Sequence, residues 1–182
     1  MINDYEATKP MTTDATPADG TAILSNDDVI SCLNGLIETC KDGQEGFRTA
    51  AEGAKSSELK TFFADASTTR ARFAGELQGL VNSLGGTPEE SGSFSGTLHR
   101  GWIDIKTAIT GNDDKAVLNE CERGEDSAKS NYQDALKQGL PANVRDVVQT
   151  EYNSILDTHN RVKQMRDALN NTNANAARPG VL

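Results

Sequence analysis

LNECERGEDSAKSNY, residues Leu118–Tyr132, is the stretch whose reading decides the fold. Leu118, Cys121, Ala128 and Tyr132, with Ala135 just beyond, recur at three- and four-residue steps, which marks one face of an α-helix. Glu125 falls in the middle of that face. Burying an ionised carboxylate costs several kcal/mol unless it is paired or bound to a metal, so another segment must bring it a partner.

Downstream, this helix runs to about Gln138 and stops at Gly139, and Leu140-Pro141 opens a last helix, since proline is well tolerated in a first turn. Its apolar stripe is Val144, Val147, Val148, Ile155, Val162, Met165 and Leu169, with Glu151 and His159 in core-facing places. The Asn- and Ala-rich end, NNTNANAARPGVL, is expected to be disordered. Upstream, Asn112 and Asp113 cap the Glu125 helix, and residues 85–112 form a long connection. Its second half, TLHRGWIDIKTAIT, places Leu98, Trp102, Ile105 and Ile109 on one face and predicts a short helix, with His99 beside that face as a packing residue.

Two more helices precede the connection. The first starts at Ser25-Asn26-Asp27-Asp28 and runs to about Gly53, with a stripe of Leu33, Leu36, Ile37, Cys40, Phe47 and Ala51 whose gap is filled by Gln44. Gly43 and Gly46 flank that gap and predict a close helix contact or a local bulge. Glu38, Asp42, Glu45 and Glu52 project to the sides or back, as a solvated face. The second helix starts at Ser56 or Ser57 and ends at Gly85-Gly86. Its stripe runs from Leu59 through Phe62, Phe63, Ala66, Phe73, Leu77, Leu80 and Val81 to Leu84, and the member missing from the middle is Arg70, with Glu76 at the edge. Residues 1–24 lack periodicity and read as a flexible arm, leaving a domain over 25–170 and a disordered tail over 171–182.

The bulk numbers narrow the partners. A chain of 182 residues suffices for one domain with a substantial core. Twenty-seven acidic against 18 basic residues give a formal charge of −9, which argues against general affinity for nucleic acid or anionic lipid. No apolar run is long enough to span a bilayer, and the start lacks the order of a secretory signal, so a cytoplasmic protein is expected. Cys32, Cys40 and Cys121 are odd in number and lack CxxC spacing, so they read as small buried hydrophobes.

Four long amphipathic helices with a short fifth in the central connection make an all-α bundle. A connection that long can travel the height of the bundle, so the third long helix can start at the same end as the second, as in a ferritin-like crossover bundle. Counted from that end, Gln44, Arg70, Glu125 and His159 lie about 10 to 13 residues in, a spread of roughly 5 Å. All four belong to one layer. Glu151 and Tyr132 fall about 19 residues in, a second level where the phenol can donate to the carboxylate.

A carboxylate-bridged di-iron site at this place wants a Glu from two helices and Glu-x-x-His from each of the other two. Here Leu156 stands where the Glu before His159 should be, the first helix offers Gln44 with Glu45 beside it, and the second offers Arg70 with Phe73 three residues on. A guanidinium keeps its proton and forks onto carboxylates, so Arg70 and Glu125 are expected to form a buried ion pair in place of a metal, with Gln44 and His159 completing the hydrogen bonds. A single weak metal site at Glu122, Glu125 and His159 is the alternative, since Glu122-x-x-Glu125 has one-turn spacing.

The segments LNGLIETCKDGQEGFRTAAE (33–52), ELQGLVNSLGGTPEESGSFSGTLHRGW (76–102), ECERGEDSAKSNYQDAL (120–136) and EYNSILDTHNRV (151–162), with LHRGW and ERGED in order, resemble a bacterial four-helix-bundle family with a domain of unknown function, in the ferritin-like superfamily. The resemblance covers about residues 29–169 and implies a ferritin-like bundle in a cytosolic bacterial protein, with no established activity. Three functional expectations stand beside it. The leading one is a non-enzymatic, stress-associated bundle protein without cofactor, acting as a homo-oligomer or through a protein partner, in which Asp42, Glu45 and Glu52 matter more than the core. The second is a degenerate iron or manganese protein using Glu122, Glu125 and His159 with Glu45 or Glu76 to handle metal or peroxide. The third is a small-molecule site near His99 and Trp102. No Ser/His/acid or Cys/His arrangement supports hydrolase chemistry.

Overall fold

The computed structural model describes residues 22–90, 109–110 and 113–176, with side chains through residue 171. Four long helices make up most of it: α1 (Asn26–Gly53), α2 (Ser57–Ser83), α3 (Asp114–Leu136) and α4 (Ala142–Ala176). Each of the first three starts on a side chain that satisfies a free backbone N–H: Ser25 accepts from Asp28, Ser56 from Leu59 and Asp113 from Lys115. The α2 turn closes on Gly85, whose φ of 78° suits a residue without Cβ, and Gly86 N–H donates back to the Val81 carbonyl. At the far end of α3, Arg145 donates to the carbonyls of Leu136 and Gln138, and the last helix opens on the Pro141 carbonyl, which accepts from Val144 and Arg145.

The described parts of the central connection lie toward opposite ends of the bundle. Its described first part climbs along α1: Asn26 donates to the Leu84 carbonyl, Asn34 to that of Thr87, and Lys41 to those of Glu89 and Glu90. At the other end Ile109 packs where a Cβ on Gly53 would stand, and the Asp114 carboxylate accepts from the backbone N–H of Lys55 and Ser56. The start of α3 therefore sits beside the start of α2, as a crossover bundle requires. Of the short helix expected in the connection, Ile109 and Thr110 are helical; its remainder, with His99 and Trp102, lies outside the described residues, as do residues 1–21.

Two expectations about the ends change. Helix α4 continues to Ala176, six residues past the expected domain end at 170; the stretch holds no proline, and the first breaker in the chain is Pro179. Residues 22–24, expected within a flexible arm, are instead fastened to the α3–α4 turn, where Leu24 N–H donates to the Gly139 carbonyl at 2.8 Å and Leu24 packs on the core.

The core falls into two hydrophobic clusters. One holds Leu33, Ile37, Phe73, Leu77, Tyr132, Val148 and Ile155; the other holds Phe47, Phe63, Leu118, Cys121 and Val162. On α2 the clusters break between Ala66 and Phe73, and on α3 between Cys121 and Ala128. Arg70 and Glu125, each 2% exposed, stand in those two gaps. No helix among the described residues is long and apolar enough to cross a membrane.

Candidate functional site: a polar layer between two apolar clusters

Helix periodicity puts Arg70 and Glu125 on inward faces, and the surrounding clusters remove them from water. Nη2 of Arg70 donates to both oxygens of Glu125, at 2.7 Å and 2.6 Å. The expected ion pair is present, although both bonds come from a single nitrogen, and Nη1 is buried with no partner among the described residues. Gly43 makes room for the stem, since a Cβ there would lie 3.3 Å from Arg70 Cδ. The close contact predicted around Gly43 is thus a contact with a side chain. Burial pushes the Glu125 carboxyl above its ordinary value, and the guanidinium pulls against that shift.

The two residues expected to complete this pair do other work. Gln44 contributes its backbone carbonyl, which accepts from Ser67 Oγ at 2.8 Å. His159 is displaced to the edge of the layer, with Nε2 3.1 Å from the Asp126 carboxylate. Its helical position is core-facing, but the exposed Asp126, next to Glu125 in sequence, draws the ring outward.

The alternative metal set is likewise drawn apart. Glu122 pairs with Arg166, Glu125 with Arg70, and His159 with Asp126. Among the described residues, no three His, Cys, Asp or Glu side chains come together in a group that could hold a metal ion. Glu45, proposed as an auxiliary ligand, pairs with Arg48 at the surface, and Glu76 pairs with Arg72.

The second level forms as counted. Tyr132 Oη donates to Glu151 Oε2 at 2.8 Å, and both residues are buried. Cys40 extends this level, its sulfur 3.0 Å from Tyr132 Oη. Counting gave no signal for it: about 14 residues from the shared end, Cys40 falls nearer the first layer than the second, and cysteine reads as apolar. The other oxygen of Glu151 is buried without a partner among the described residues. Burial raises this carboxyl to about 8, against the Tyr132 hydrogen bond, so it is protonated at neutral pH. The Cys40 thiol is pushed up to about 12 for the same reason. Asp42, expected on the solvated face, is half-buried with one oxygen unpartnered, and burial beside Glu38 raises it to about 6. Glu45 and Glu52 do form a solvated face, bridged by Arg48.

Four helices in crossover order, with a polar layer between two apolar clusters, define a ferritin-like bundle. The chain belongs to the family described as "Domain of unknown function (DUF2383)", which matches residues 28–138. No curated protein matches. Among solved structures, it is similar to a two-domain protein from Anabaena variabilis containing DJ-1/ThiJ/PfpI-like and ferritin-like domains, with a TM-score of 0.69 and 13% identity. That match takes in 98% of this chain and spans 49% of the other.

Proposed function

We propose that this protein is a non-enzymatic ferritin-like bundle that works through its surface, by self-association or by binding a protein partner. The observation that carries this reading is the Arg70–Glu125 pair. A carboxylate-bridged di-metal centre needs deprotonated donors from all four helices, and this layer presents a guanidinium on α2 and an ion-paired carboxylate on α3. The donor set does not fit such a centre. Among the described residues Ile23 is the one exposed large hydrophobic, so the contact surface is polar and charged. Association through it is salt-sensitive and of modest strength.

Two measurements test the reading. Light scattering after size exclusion, across protein concentration at low and high salt, should show salt-dependent association; a monomer throughout removes self-association and leaves the partner. Elemental analysis of protein from iron- and manganese-supplemented cells should find no stoichiometric metal. One or two metals per chain, lost in Glu125→Ala, would replace this reading with a degenerate iron or manganese protein.

A further inference from the structure

The bundle is two αα-hairpins joined by one long link. Helices α1 and α2 turn over residues 54–56, and α3 and α4 over residues 137–141; these are also the two most extensively packed pairs. Each hairpin has polar contacts of its own: Ser67 with the Gln44 carbonyl in the first, and Tyr132 with Glu151, Asp126 with His159 and Glu122 with Arg166 in the second. Across the seam between the hairpins run Arg70–Glu125, Cys40–Tyr132 and the Asn131 amide on Thr39 Oγ1. Both apolar clusters draw on both hairpins, so neither hairpin buries its inner face alone.

The link is much longer than the closed bundle needs. Its start is fixed to the first hairpin, where Asn34, Lys41 and Gln78 hold the backbone of residues 87–90. Among the described residues it meets the bundle again at Ile109, against Gly53. From Lys41 to Gly53 the helix rises about 18 Å, whereas the chain of residues 91–108 is long enough to extend over roughly 60 Å. A bundle two helices across measures about 20 Å, so the second hairpin can reach a neighbouring copy. Tight self-association needs a buried apolar interface. Ile23 is the one exposed large hydrophobic among the described residues, and it supports only the modest, salt-sensitive contact described above. The complementary apolar surface that this chain does own is the seam, and exchanging hairpins uses it again without a new contact.

We propose that two copies of this chain associate by exchanging their α3–α4 hairpins, so that each polar layer takes Arg70 from one copy and Glu125 from the other. This goes beyond the surface association proposed above and is separable from it: an exchanged dimer resists salt and outlasts dilution, because parting it requires opening the seam. Size exclusion with light scattering on the full chain, refolded from urea over a range of concentrations, should find such a dimer, increasing with concentration during refolding. No dimer, or one that dissolves in high salt, overturns the exchange; the second result leaves the surface association standing. The single variants Arg70→Met and Glu125→Leu test which residues face each other. As closed chains, each keeps one buried group of the pair without its partner. Refolded together, an exchanged heterodimer holds one intact Arg70–Glu125 layer and one layer with both groups replaced. Heterodimers should therefore outnumber homodimers at least threefold in native mass spectrometry with one variant isotope-labelled, and their urea midpoint should return to that of the wild type. Equal numbers of heterodimers and homodimers would show that the copies do not share the layer and would overturn the proposal. The wild-type measurement decides even where the single variants do not fold alone.

Discussion

Arg70 meets Glu125 through one nitrogen, Nη2, which straddles both carboxylate oxygens while Nη1 stays buried and unpartnered among the described residues. The pair thus satisfies the carboxylate better than it satisfies the guanidinium. Its position between two apolar clusters makes it a specificity device as well as a charge pair: shifting one helix by a turn would put Arg70 or Glu125 against hydrocarbon.

Removing one member should be far worse than removing both. Arg70→Ala leaves the Glu125 carboxyl buried without its partner, and Glu125→Ala leaves the Arg70 guanidinium charged and unpaired, so each should cost about 3–5 kcal/mol in urea unfolding. Replacing both together, Arg70→Met with Glu125→Leu, keeps volume and removes both charges; its stability should return to within about 1 kcal/mol of the wild type or exceed it. A double variant as unstable as the singles would show that the layer holds more than this ion pair.

Glu151 gives a pH dependence with a definite sign. The folded protein keeps its proton up to about pH 8, whereas the ordinary carboxyl value is 4.5. Between these limits the folded state binds more protons than the unfolded one, so stability falls as pH rises. The contribution is fully present below 4.5 and is lost through pH 8, with a slope of at most about 1.4 kcal/mol per pH unit. Asp42, raised to about 6, adds in the same direction at the acid end. Glu151→Gln should therefore flatten the stability profile between pH 6 and 8 and leave part of the slope below 6. An unchanged profile would show that Glu151 is ionised in the fold.

Thiol reactivity should follow burial. Cys40 and Cys121 are buried and burial raises both thiols, Cys40 to about 12, whereas Cys32 is half-buried and raised less. The thiolate is the reactive form, so at pH 8 Ellman's reagent should label Cys32 first and reach the other two only on unfolding. Rapid labelling of Cys40 in the native protein would contradict the closed Cys40–Tyr132–Glu151 chain.

Much of this was legible because two periodicities coincide. Capping residues pointed to helix starts at Ser25, at Ser56 or Ser57 and at Asn112-Asp113, where the caps are Ser25, Ser56 and Asp113, and counting from a shared end placed Arg70 opposite Glu125 and Tyr132 opposite Glu151. Counting assigns a level and a face; it does not assign a side-chain direction. That is why His159, correctly placed in height, was wrongly joined to Glu125 when Asp126 lay within its reach. It is also why Asp42 was read as solvated and Gln44 as a side-chain donor. The docking of residues 22–24 had no periodic signal, since it rests on one backbone bond to a turn more than a hundred residues away.

That strap gives the last prediction. A Cβ on Gly139 would stand 1.9 Å from the Ala22 carbonyl oxygen, a distance that no side-chain adjustment can relieve because the obstacle is backbone. Gly139→Ala should therefore expel residues 22–24, losing the Leu24–Gly139 hydrogen bond and the packing of Leu24, at about 1–3 kcal/mol. Gly79→Ala is the control: it lies within α2 with open space around its Cβ, and better helix propensity should stabilise the protein by about 0.5–1 kcal/mol. A chain beginning at Ser25 closes the cycle. It should be destabilised by about as much as Gly139→Ala, and adding Gly139→Ala to it should cost little more, because the two changes remove the same contact. Additive losses would mean that Gly139 is needed for the α3–α4 turn itself and that the strap is incidental.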